Sequence, residues 1–449
     1  MEIRRYKDII AIKFVPDQTG PENYIAYHSR NLEVAEITPE AFSEMTPITL
    51  NTAERPDVKT VQDAEARLQI ETWNNDTNFQ GRTGQINFGI RAVTINVTQI
   101  CNLKCHYCAA GGDGTYGDPV AKISIEKTLP QLKFFIDQLK ENQKFTISFV
   151  GGEPLLYPEA IKSIYDYVTA LTKVKKINPI FSLTTNGTLI NNSVSQILKT
   201  MKIHITISLD GAESENNLAR PAKDGSNSTE LTIQGLHQLT KIHSNIASFG
   251  LSAVSTKENL KIIQTYIFFK TFNPDWYEFN FSYTEKSPSA QTEYLTQMSA
   301  LAALAYANGG EVELRKIKTF DVYFKLLDDQ QRIENHCGAG KSYLMIDARN
   351  QLYTCPWVVG EKDEIVGVGS VLNHTKLEKY QKPLIELNNC ETCWAKYLCG
   401  GGCMFIHRTH TGDKHTKDNL FCERTRGLIL ITLVYYKLSR ESIHEKKSY

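Results

Sequence analysis

Ten cysteines are the residues whose type and spacing could do chemistry in this chain of 449 residues. Cys101, Cys105 and Cys108 stand together in the segment CNLKCHYC. The other seven lie in the last quarter of the sequence: Cys337, Cys355, Cys390, Cys393, Cys399, Cys403 and Cys422. Cysteines clustered this tightly in a long chain favour metal binding, because disulfide frameworks are typical of small secreted domains. The first segment, MEIRRYKDII, lacks the apolar core of a signal peptide, so we expect a cytoplasmic protein.

The first group has three cysteines, whereas structural zinc prefers four ligands. His106 could complete a zinc site, but it follows Cys105 directly and is expected to point away from the other ligands. A [4Fe–4S] cluster held by three cysteines would leave one iron open for a further ligand. The surrounding elements decide between zinc and iron–sulfur.

Six strand–helix pairs beginning near residue 90 must position these cysteines. The predicted strands are 92–99, 145–150, 180–185, 203–209, 248–255 and 276–283. The predicted helices lie near 129–141, 157–172, 191–201, 228–243, 258–271 and 290–307. Thr128 and Gln131 predict a capping box for the first helix, with Pro130 early in its first turn. Such an alternation predicts a parallel sheet with helices outside it.

Most of these strands alternate between apolar and polar residues, which places the two kinds on opposite faces. In the fourth strand, Ile203, Ile205 and Ile207 share one face, and His204 and Thr206 lie on the other. A filled barrel core is normally built from Val, Ile and Leu. A polar interior therefore predicts an open, partial (β/α)6 TIM barrel that holds a polar ligand. An ordinary α/β sheet with one wetter face is the alternative.

The distinctive residues follow the strands, where ligands of parallel sheets bind. The first strand runs into the cysteine segment, and the second ends in the segment FVGGEP, residues 149–154. The third ends in TTNGT, residues 184–188, and the fourth in SLDG, residues 208–211, with Arg220 shortly after. Each motif alone is common in turns. Their order, each closing a consecutive strand, indicates one shared site.

With these motifs the sequence resembles a radical S-adenosylmethionine (SAM) enzyme over residues 90–310. CNLKCHYC fits the family motif of three cysteines, with Tyr107 as its aromatic residue. FVGGEP resembles the segment that binds the methionine amino group of SAM. TTNGT and SLDG with Arg220 resemble the segments around the SAM ribose and carboxylate. The resemblance implies that SAM chelates the open iron and is cleaved to methionine and a 5′-deoxyadenosyl radical.

The resemblance also implies which residues contact SAM. The two glycines would let the backbone approach it closely, since neither has a Cβ. Glu153 would either orient its strand end or accept from an amine. The cofactor-binding candidates are Tyr107, Gly151, Gly152, Glu153, Pro154, Thr185, Asn186, Ser208, Arg220 and Asn259. Asp210, Glu278 and Asn280 are expected to face the barrel interior as candidate catalytic residues, although any of them could be structural.

The last quarter is similar to the SPASM domain of peptide-modifying radical SAM enzymes. The resemblance implies two auxiliary [4Fe–4S] clusters: one on Cys337, Cys355 and Cys403, the other on Cys390, Cys393, Cys399 and Cys422. Asn350 stands where the family usually has Gly, but Asn also tolerates a left-handed turn. Some relatives have a fourth cysteine ligand of the first auxiliary cluster at the position of Tyr343. Its absence predicts that one iron of that cluster has an open coordination site or a non-cysteine ligand. A zinc-binding domain is the alternative.

The first ninety residues carry the weakest signal. Strands are predicted at Asp8–Val15, Asn23–His28 and Leu32–Ile37, and helices at Pro39–Met45 and Val61–Trp73. A hairpin followed by helices is similar to the element that binds a leader peptide as an added strand. A structural cap on the barrel is the alternative. We therefore predict a small N-terminal α+β region at 1–89, a radical SAM core at 90–310 and a cysteine-rich SPASM domain at 311–449.

Charge and composition exclude several classes of partner. Fifty Lys and Arg residues balance fifty Asp and Glu residues, so no overall field favours nucleic acid or an anionic membrane. The apolar stretch Leu428–Val434 is far shorter than the roughly 20 residues that span a bilayer. Hydrophobic residues make up 41% of the chain, which excludes disorder over most of its length.

These observations favour an oxidoreductase that modifies a ribosomally made precursor peptide, with flavodoxin or ferredoxin as a reductant. The expected product is a crosslink: carbon–carbon, ether or thioether. A sulfatase-maturing, formylglycine-forming enzyme is one alternative, although the fourth cysteine of its first auxiliary cluster is missing here. A non-catalytic iron–sulfur electron carrier is another, but it would need no SAM pocket.

Overall fold

The computed structural model describes residues 1–15, 20–56, 61–84, 89–108 and 121–447, the side chains of 442–447 excepted. The chain forms two compact units. The first contains Met1–Gln85, Lys286–Cys337 and Lys382–Tyr449, and the second contains Ile86–Glu285 and Gly338–Gln381. Among the described residues, no helix is long and apolar enough to cross a membrane.

The regular elements are numbered along the chain. The strands are β1 (Glu2–Tyr6), β2 (Ile9–Phe14), β3 (Asn23–His28), β4 (Glu33–Glu36), β5 (Thr46–Ile48), β6 (Arg82–Gly84), β7 (Ala92–Asn96), β8 (Lys144–Val150), β9 (Asn178–Thr185), β10 (Ile203–Ser208), β11 (Ser248–Ser255), β12 (Trp276–Phe281), β13 (Gln331–Ile333), β14 (Tyr343–Ile346), β15 (Gln351–Tyr353), β16 (Ile365–Val368) and β17 (Val371–Leu372). The helices are α1 (Pro39–Glu44), α2 (Ala64–Asn75), α3 (Ile125–Asp137), α4 (Pro158–Lys175), α5 (Asn192–Leu198), α6 (Glu213–Ala219), α7 (Ser228–Lys241), α8 (Ile262–Lys270), α9 (Pro288–Arg315), α10 (Lys318–Asp328), α11 (His374–Glu378), α12 (Leu384–Leu387), α13 (Lys396–Cys399), α14 (Met404–Thr411) and α15 (Asn419–Lys447).

The second unit is built on one continuous sheet with the strand order β12-β11-β10-β9-β8-β7-β14-β15-β16-β17. The strands from β12 to β7 run parallel, and β14 adds a further parallel strand beside β7. Strands β15, β16 and β17 then continue the sheet antiparallel. Strands and helices alternate along the chain from β7, so the expected partial (β/α)6 barrel is confirmed.

The two faces of this sheet differ as the alternation predicts. Ile203, Ile205 and Ile207 are fully buried. On the opposite face His204 and Thr184 are exposed, so that face is open to solvent. Since side chains alternate along a strand, one face packs on helices while the other leaves a polar interior.

The start of helix α3 differs from the prediction. The helix begins after Ser124, whose side chain accepts a hydrogen bond from the amide of Lys127. The Thr128 hydroxyl instead donates to the Ser124 carbonyl at 2.7 Å, and Pro130 lies inside the helix. The capping-box prediction at Thr128 and Gln131 is therefore wrong, because Ser124 provides an equally good cap one turn earlier.

The first unit contains an antiparallel sheet in the order β4-β3-β2-β1-β5. One face packs on α1 and α2 through a core that includes Ile9, Phe42 and Ile70. The other face packs on α15 and its neighbours, with Ile12 and Leu433 in that core. Strands β1 and β5 were not expected from the sequence. The N-terminal segment and the cysteine-rich C-terminal segment thus share one core.

Candidate functional site

The loop that carries the first three cysteines continues from β7 and stays paired with the end of β8. The amide of Gly152 donates to the Thr98 carbonyl at 2.8 Å, and the amide of Glu153 donates to the Ile100 carbonyl at 2.8 Å. Cys101 is buried, whereas Cys105 and Cys108 are half-buried. The FVGGEP segment therefore holds the cysteine loop through its backbone.

The two glycines of this segment are required by that close approach. A Cβ on Gly151 would lie 2.5 Å from the Thr98 carbonyl oxygen. A Cβ on Gly152 would lie 2.1 Å from the Ile100 carbonyl oxygen and 2.6 Å from the Cys101 amide nitrogen. Cβ atoms do not approach backbone so closely, so a larger residue would push the cysteine loop away.

Glu153 connects the second strand end to the third. Its carboxylate is only 1% exposed and accepts from the Thr185 hydroxyl at 2.6 Å, the Asn186 amide at 2.8 Å and the Leu155 amide at 2.9 Å. Burial raises the pKa of Glu153 to about 6, although these donors act in the opposite direction. The contacts favour the orienting role for Glu153.

Asn186 ties the third strand end to the cysteine loop. Its amide nitrogen donates to the Asn102 side chain at 2.9 Å and lies 3.8 Å from the Cys101 sulfur. Its amide oxygen accepts from the hydroxyl of Thr188 at 2.7 Å. The Thr188 hydroxyl also contacts the Asn102 amide at 2.8 Å, which closes a small polar network beside Cys101.

The fourth strand end brings a buried ion pair to the second cysteine. Arg220 Nε donates to Asp210 at 3.0 Å, and its Nη1 lies 3.7 Å from the Cys105 sulfur. The Tyr107 hydroxyl donates to the same carboxylate, and the guanidinium lies over the Tyr107 ring at 5.4 Å. Burial alone would lower the pKa of Arg220, but the negative charge of Asp210 keeps it well above its ordinary value.

The remaining candidates divide between turns and the open face. Pro154 opens a short 3-10 turn, and Asn259 closes the turn after β11 by bonding to Thr256 and Val254. Ser208, Ser252 and Glu278 form one row across β10, β11 and β12. Ser208 and Glu278 are half-buried, and Asn280 is exposed. Asp210 is already held by Arg220 and Tyr107, which favours a positioning role for it.

Two features of the site were missed in the sequence. Asn96, on the polar face of β7, is fully buried, and neither polar atom of its amide has a hydrogen-bond partner within the described protein. Tyr283, after β12, is close enough to Cys108 for their charges to interact, and its ring stacks on Trp357 at 6.2 Å. The strand alternation could have pointed to Asn96, whereas the ring stacking depends on long-range folding.

The chemistry around the three cysteines fits an iron–sulfur cluster. The ten cysteines all lie in the described part of the chain, and no disulfide joins any two of them. Burial raises the pKa of Cys101 to about 12 and that of Cys105 to about 11, so without iron both stay neutral thiols. Iron would hold them as thiolates, stabilised by the Leu103 amide, 3.4 Å from the Cys101 sulfur, and by Arg220. Within the described ranges, no group of His, Cys, Asp or Glu side chains is arranged to hold a single metal ion.

A second cysteine site lies within the first unit. Cys390, Cys393, Cys399 and Cys422 line a cavity of about 630 Å³. The three glycines after Cys399 have φ angles of 70°, 92° and 84°, a conformation that L side chains rarely adopt. These glycines let the chain turn sharply between Cys399 and Cys403, as the sequence predicts.

The three other C-terminal cysteines are placed as follows. Cys337 and Cys403 belong to the first unit, where their charges interact, and Cys403 precedes helix α14. Cys355 belongs to the second unit and follows β15. Their joint role as ligands stays a prediction, as does the open coordination site or non-cysteine ligand expected because Tyr343 replaces a fourth cysteine.

Asn350 does occupy a left-handed turn, between β14 and β15, with a φ of 65°. Its side-chain amide donates to the Thr128 hydroxyl at 2.8 Å. The Gln131 amide in turn contacts the Gly369 carbonyl at 2.7 Å. The left-handed tolerance of Asn therefore replaces that of Gly, and the side chain adds a contact to helix α3.

A family model and several curated proteins are similar to this chain. Residues 95–267 match the Radical SAM superfamily. Mycofactocin maturase MftC from Mycobacterium ulcerans is 27% identical over 329 residues, which cover 70% of this chain and 82% of MftC. The radical SAM cyclopropyl synthase TigE from Paramaledivibacter caminithermalis is 24% identical over 377 residues, 76% of this chain and 73% of TigE. A cysteine-type anaerobic sulfatase-maturating enzyme from Clostridium novyi is 24% identical over 355 residues, 72% of this chain and 90% of that enzyme.

Solved structures share the fold. The enzyme anSMEcpe with bound AdoMet aligns with a TM-score of 0.64 and 20% identity, over 78% of this chain and 95% of that one. Streptococcus suis SuiB bound to the precursor peptide SuiA aligns with a TM-score of 0.51 and 15% identity. That alignment covers 94% of this chain and all of the SuiB chain.

Proposed function

Because this chain carries a radical SAM domain, we propose that it is a peptide maturase that oxidatively crosslinks a ribosomally made precursor peptide. The crosslink would be carbon–carbon, ether or thioether. The proposal depends mainly on the three-cysteine loop at the strand ends of an open polar barrel. The same chain also has a separate cavity lined by four cysteines. The maturase MftC and the precursor peptide bound to SuiB support the choice of a peptide as substrate.

In this proposal Cys101, Cys105 and Cys108 hold a [4Fe–4S] cluster, and SAM binds beside it. With both bound, the site would supply a 5′-deoxyadenosyl radical that takes hydrogen from the substrate. The protein contributes orientation, because Glu153 and Asn186 fix the loops beside the cysteines. The other candidates named from the sequence remain proposed SAM contacts. The reductant would be a flavodoxin or ferredoxin.

A crosslink removes two hydrogen atoms from the peptide, so the substrate must lose a second electron after hydrogen abstraction. This requirement is the chemical reason for further iron–sulfur sites. We assign one to Cys390, Cys393, Cys399 and Cys422, and another to Cys337, Cys355 and Cys403. The division into an N-terminal region, a radical SAM core and a SPASM domain remains part of the proposal.

Formylglycine formation is the second candidate. The alignment with the sulfatase-maturating enzyme of Clostridium novyi over 90% of that enzyme's length favours it. The position of Tyr343, where some relatives have a fourth cysteine ligand, argues against it. A pure electron carrier is less favoured, because it would not need the loops that Glu153 and Asn186 arrange around Cys101.

The test is mass spectrometry of a short peptide encoded beside this gene, co-expressed anaerobically with the enzyme. We expect a loss of two hydrogen atoms per crosslink, and no fragment ions from cleavage between the linked residues. Cys101→Ala should abolish the change, while Gly427→Ala, in helix α15, should preserve it. Gly427 is a suitable control because the three atoms nearest to a Cβ there all belong to the flexible Leu295 side chain.

Three results would contradict the proposal in different ways. A product that reacts with an aldehyde probe would identify formylglycine instead of a crosslink. An unmodified peptide, with SAM still cleaved, would remove that peptide as the substrate. No SAM cleavage by the fully reconstituted chain would contradict the enzyme assignment itself.

A further inference from the structure

Arg5 is a buried cation in strand β1. Its side chain is 1% exposed, and its guanidinium donates to four backbone carbonyl oxygens. The acceptors are Lys7 at 2.8 Å, Ala53 at 2.9 Å, Glu54 at 3.0 Å and Thr392 at 2.8 Å. Since Thr392 stands between Cys390 and Cys393, Arg5 ties the N-terminal strand to the loop that carries these cysteines.

Arg426 is a second buried cation on the same cysteine loop. It lies in helix α15, 4% exposed, and its Nε donates to the Leu50 carbonyl. Its Nη1 lies 3.9 Å from the Cys393 sulfur. Arg5 and Arg426 therefore both contact the segment Cys390–Cys393, from an N-terminal strand and from the C-terminal helix.

Among the described residues, no carboxylate forms an ion pair with either guanidinium group, whose bonded partners are carbonyl oxygens and the Cys393 sulfur. Arginine keeps its proton in proteins, and burying a cation without a counter-charge is costly. The carboxylate Asp8 is already held by Arg30 at 2.9 Å and Arg55 at 2.5 Å. Around the cavity, the charged side chains besides the cysteines are Glu54, Lys396, Lys417 and Arg426, an excess of cations.

An iron–sulfur cluster on the four cysteines has the required charge. Four thiolates outweigh the positive charge of the iron–sulfide core, so the oxidised cluster is an anion and the reduced cluster is more negative still. The electrostatic attraction of a nearby cation is therefore larger for the reduced form. Neutral backbone carbonyls hold Arg5 in place without cancelling its charge.

We propose that Arg5 and Arg426 are the counter-ions of an iron–sulfur cluster on Cys390, Cys393, Cys399 and Cys422, and that they raise its reduction potential. This inference rests on the auxiliary cluster of the proposed function. It gives the N-terminal segment a role that the sequence did not reveal. Residues 51–54 line the cavity, and Arg5 of strand β1, which is bonded to the carbonyls of residues 53, 54 and 392, supplies one of the two buried charges.

The experiment is a reduction-potential titration, followed by electron paramagnetic resonance, of the anaerobically reconstituted full chain. Cys101, Cys105 and Cys108 are replaced by Ala to remove the SAM-cluster signal. In Arg5→Gln and in Arg426→Gln we expect one signal to shift to lower potential. At a given solution potential, the ratio of oxidised to reduced cluster should rise about tenfold in each variant. This corresponds to a reduction potential lower by about 59 mV for a one-electron couple.

Matched variants separate charge from packing. Arg5→Lys keeps the positive charge, so its reduction potential should stay close to that of the parent. Arg332→Gln removes a cation of the same unit that stacks on Phe79 at 3.5 Å, and it should leave the potential unchanged. Unchanged potentials in both Arg5→Gln and Arg426→Gln, with the cluster present, would overturn the inference.

Iron and sulfide analysis distinguishes this failure from failure of the proposed cluster. If Cys390→Ala with Cys393→Ala does not lower the iron content, no cluster occupies this site and the functional proposal is at fault. Protein stability gives a second measurement. Cluster binding should raise the unfolding temperature of the parent chain more than that of Arg426→Gln, and an equal rise would also contradict the counter-ion role.

Discussion

Replacing Gly152 by Ala tests whether the FVGGEP segment works by holding the cysteine loop. The added Cβ would lie 2.1 Å from the Ile100 carbonyl oxygen, whereas ordinary contacts begin near 3.4 Å. The atoms that obstruct it are backbone, including the Cys101 amide at 2.6 Å, so no side chain can rotate away. The two segments must separate by about 1 Å to accommodate the methyl group.

That displacement sets the expected magnitudes. Overpacking of this kind costs about 1–3 kcal/mol in the free energy of unfolding. A misplacement of about 1 Å lowers catalytic rates by roughly 10²-fold. We therefore expect Gly152→Ala to fold but to cleave SAM roughly 10²-fold more slowly per assembled cluster, because Cys101 moves with the loop.

The assay measures 5′-deoxyadenosine formation under chemical reduction, normalised to iron content, together with denaturant unfolding of the same preparation. Gly427→Ala is the control, since the three atoms nearest to its Cβ all belong to the Leu295 side chain, and Ala favours a helix over Gly by about 1 kcal/mol. SAM cleavage at the parental rate by Gly152→Ala would refute the reasoning. It would mean that the loop adapts without moving the cysteine.

Three further changes test the polar contacts of the site by denaturant unfolding. Glu153→Gln places an amide N–H against donor groups and should cost about 1–3 kcal/mol below about pH 4.5, where the parent carboxyl is protonated. The fold raises the pKa of Glu153 to about 6. As the pH rises from about 4.5 to above 6, the free energy of unfolding of the parent should therefore fall by about 2 kcal/mol relative to that of this variant. A difference between the two proteins that does not change with pH would contradict this. Asn350→Gly should be about 1 kcal/mol more stable than Asn350→Ala, since Gly, unlike Ala, accepts a φ of 65° without strain; equal stabilities would contradict it. Arg220→Gln should cost about 3–5 kcal/mol by leaving Asp210 buried and unpaired, and a loss below 1 kcal/mol would argue against the buried ion pair.

The barrel and its cysteine loop could be predicted because their signals are local. The alternation of Ile203 to Ser208 requires only the period of a strand, and the CNLKCHYC and FVGGEP motifs mark strand ends directly. The six predicted barrel strands are accordingly correct to within a few residues, whereas β14 to β17 of the same sheet were not predicted. The end of β7 at Asn96, before the predicted 99, reflects the start of the cysteine loop.

In the N-terminal region, the predicted elements are confirmed as β2, β3, β4, α1 and α2 to within about three residues. Strand β1 and its burial could not be predicted, because the residues that surround it are distant in sequence. The segment EIRRY places two adjacent arginines in β1, a pattern that favours an exposed segment. Arg5 is nevertheless buried, since carbonyl oxygens of residues 53, 54 and 392 surround it. Likewise, the cap of helix α3 depended on a choice between Ser124 and Thr128 that residue types alone do not decide.

The motif residues that we propose as SAM contacts are held by more contacts inside the protein than the sequence suggested. Glu153, Asn186 and Asn259 each use their side-chain oxygens on neighbouring backbone or hydroxyl groups. A Cβ on Gly151 or Gly152 would collide with the backbone at the start of the cysteine loop. These residues would therefore act on SAM through the backbone that they shape, and specificity for the substrate would depend on the side chains of the open barrel face. Positions on that face, such as Glu278 and Asn280, are consequently the ones to vary when seeking altered substrate choice without loss of SAM cleavage.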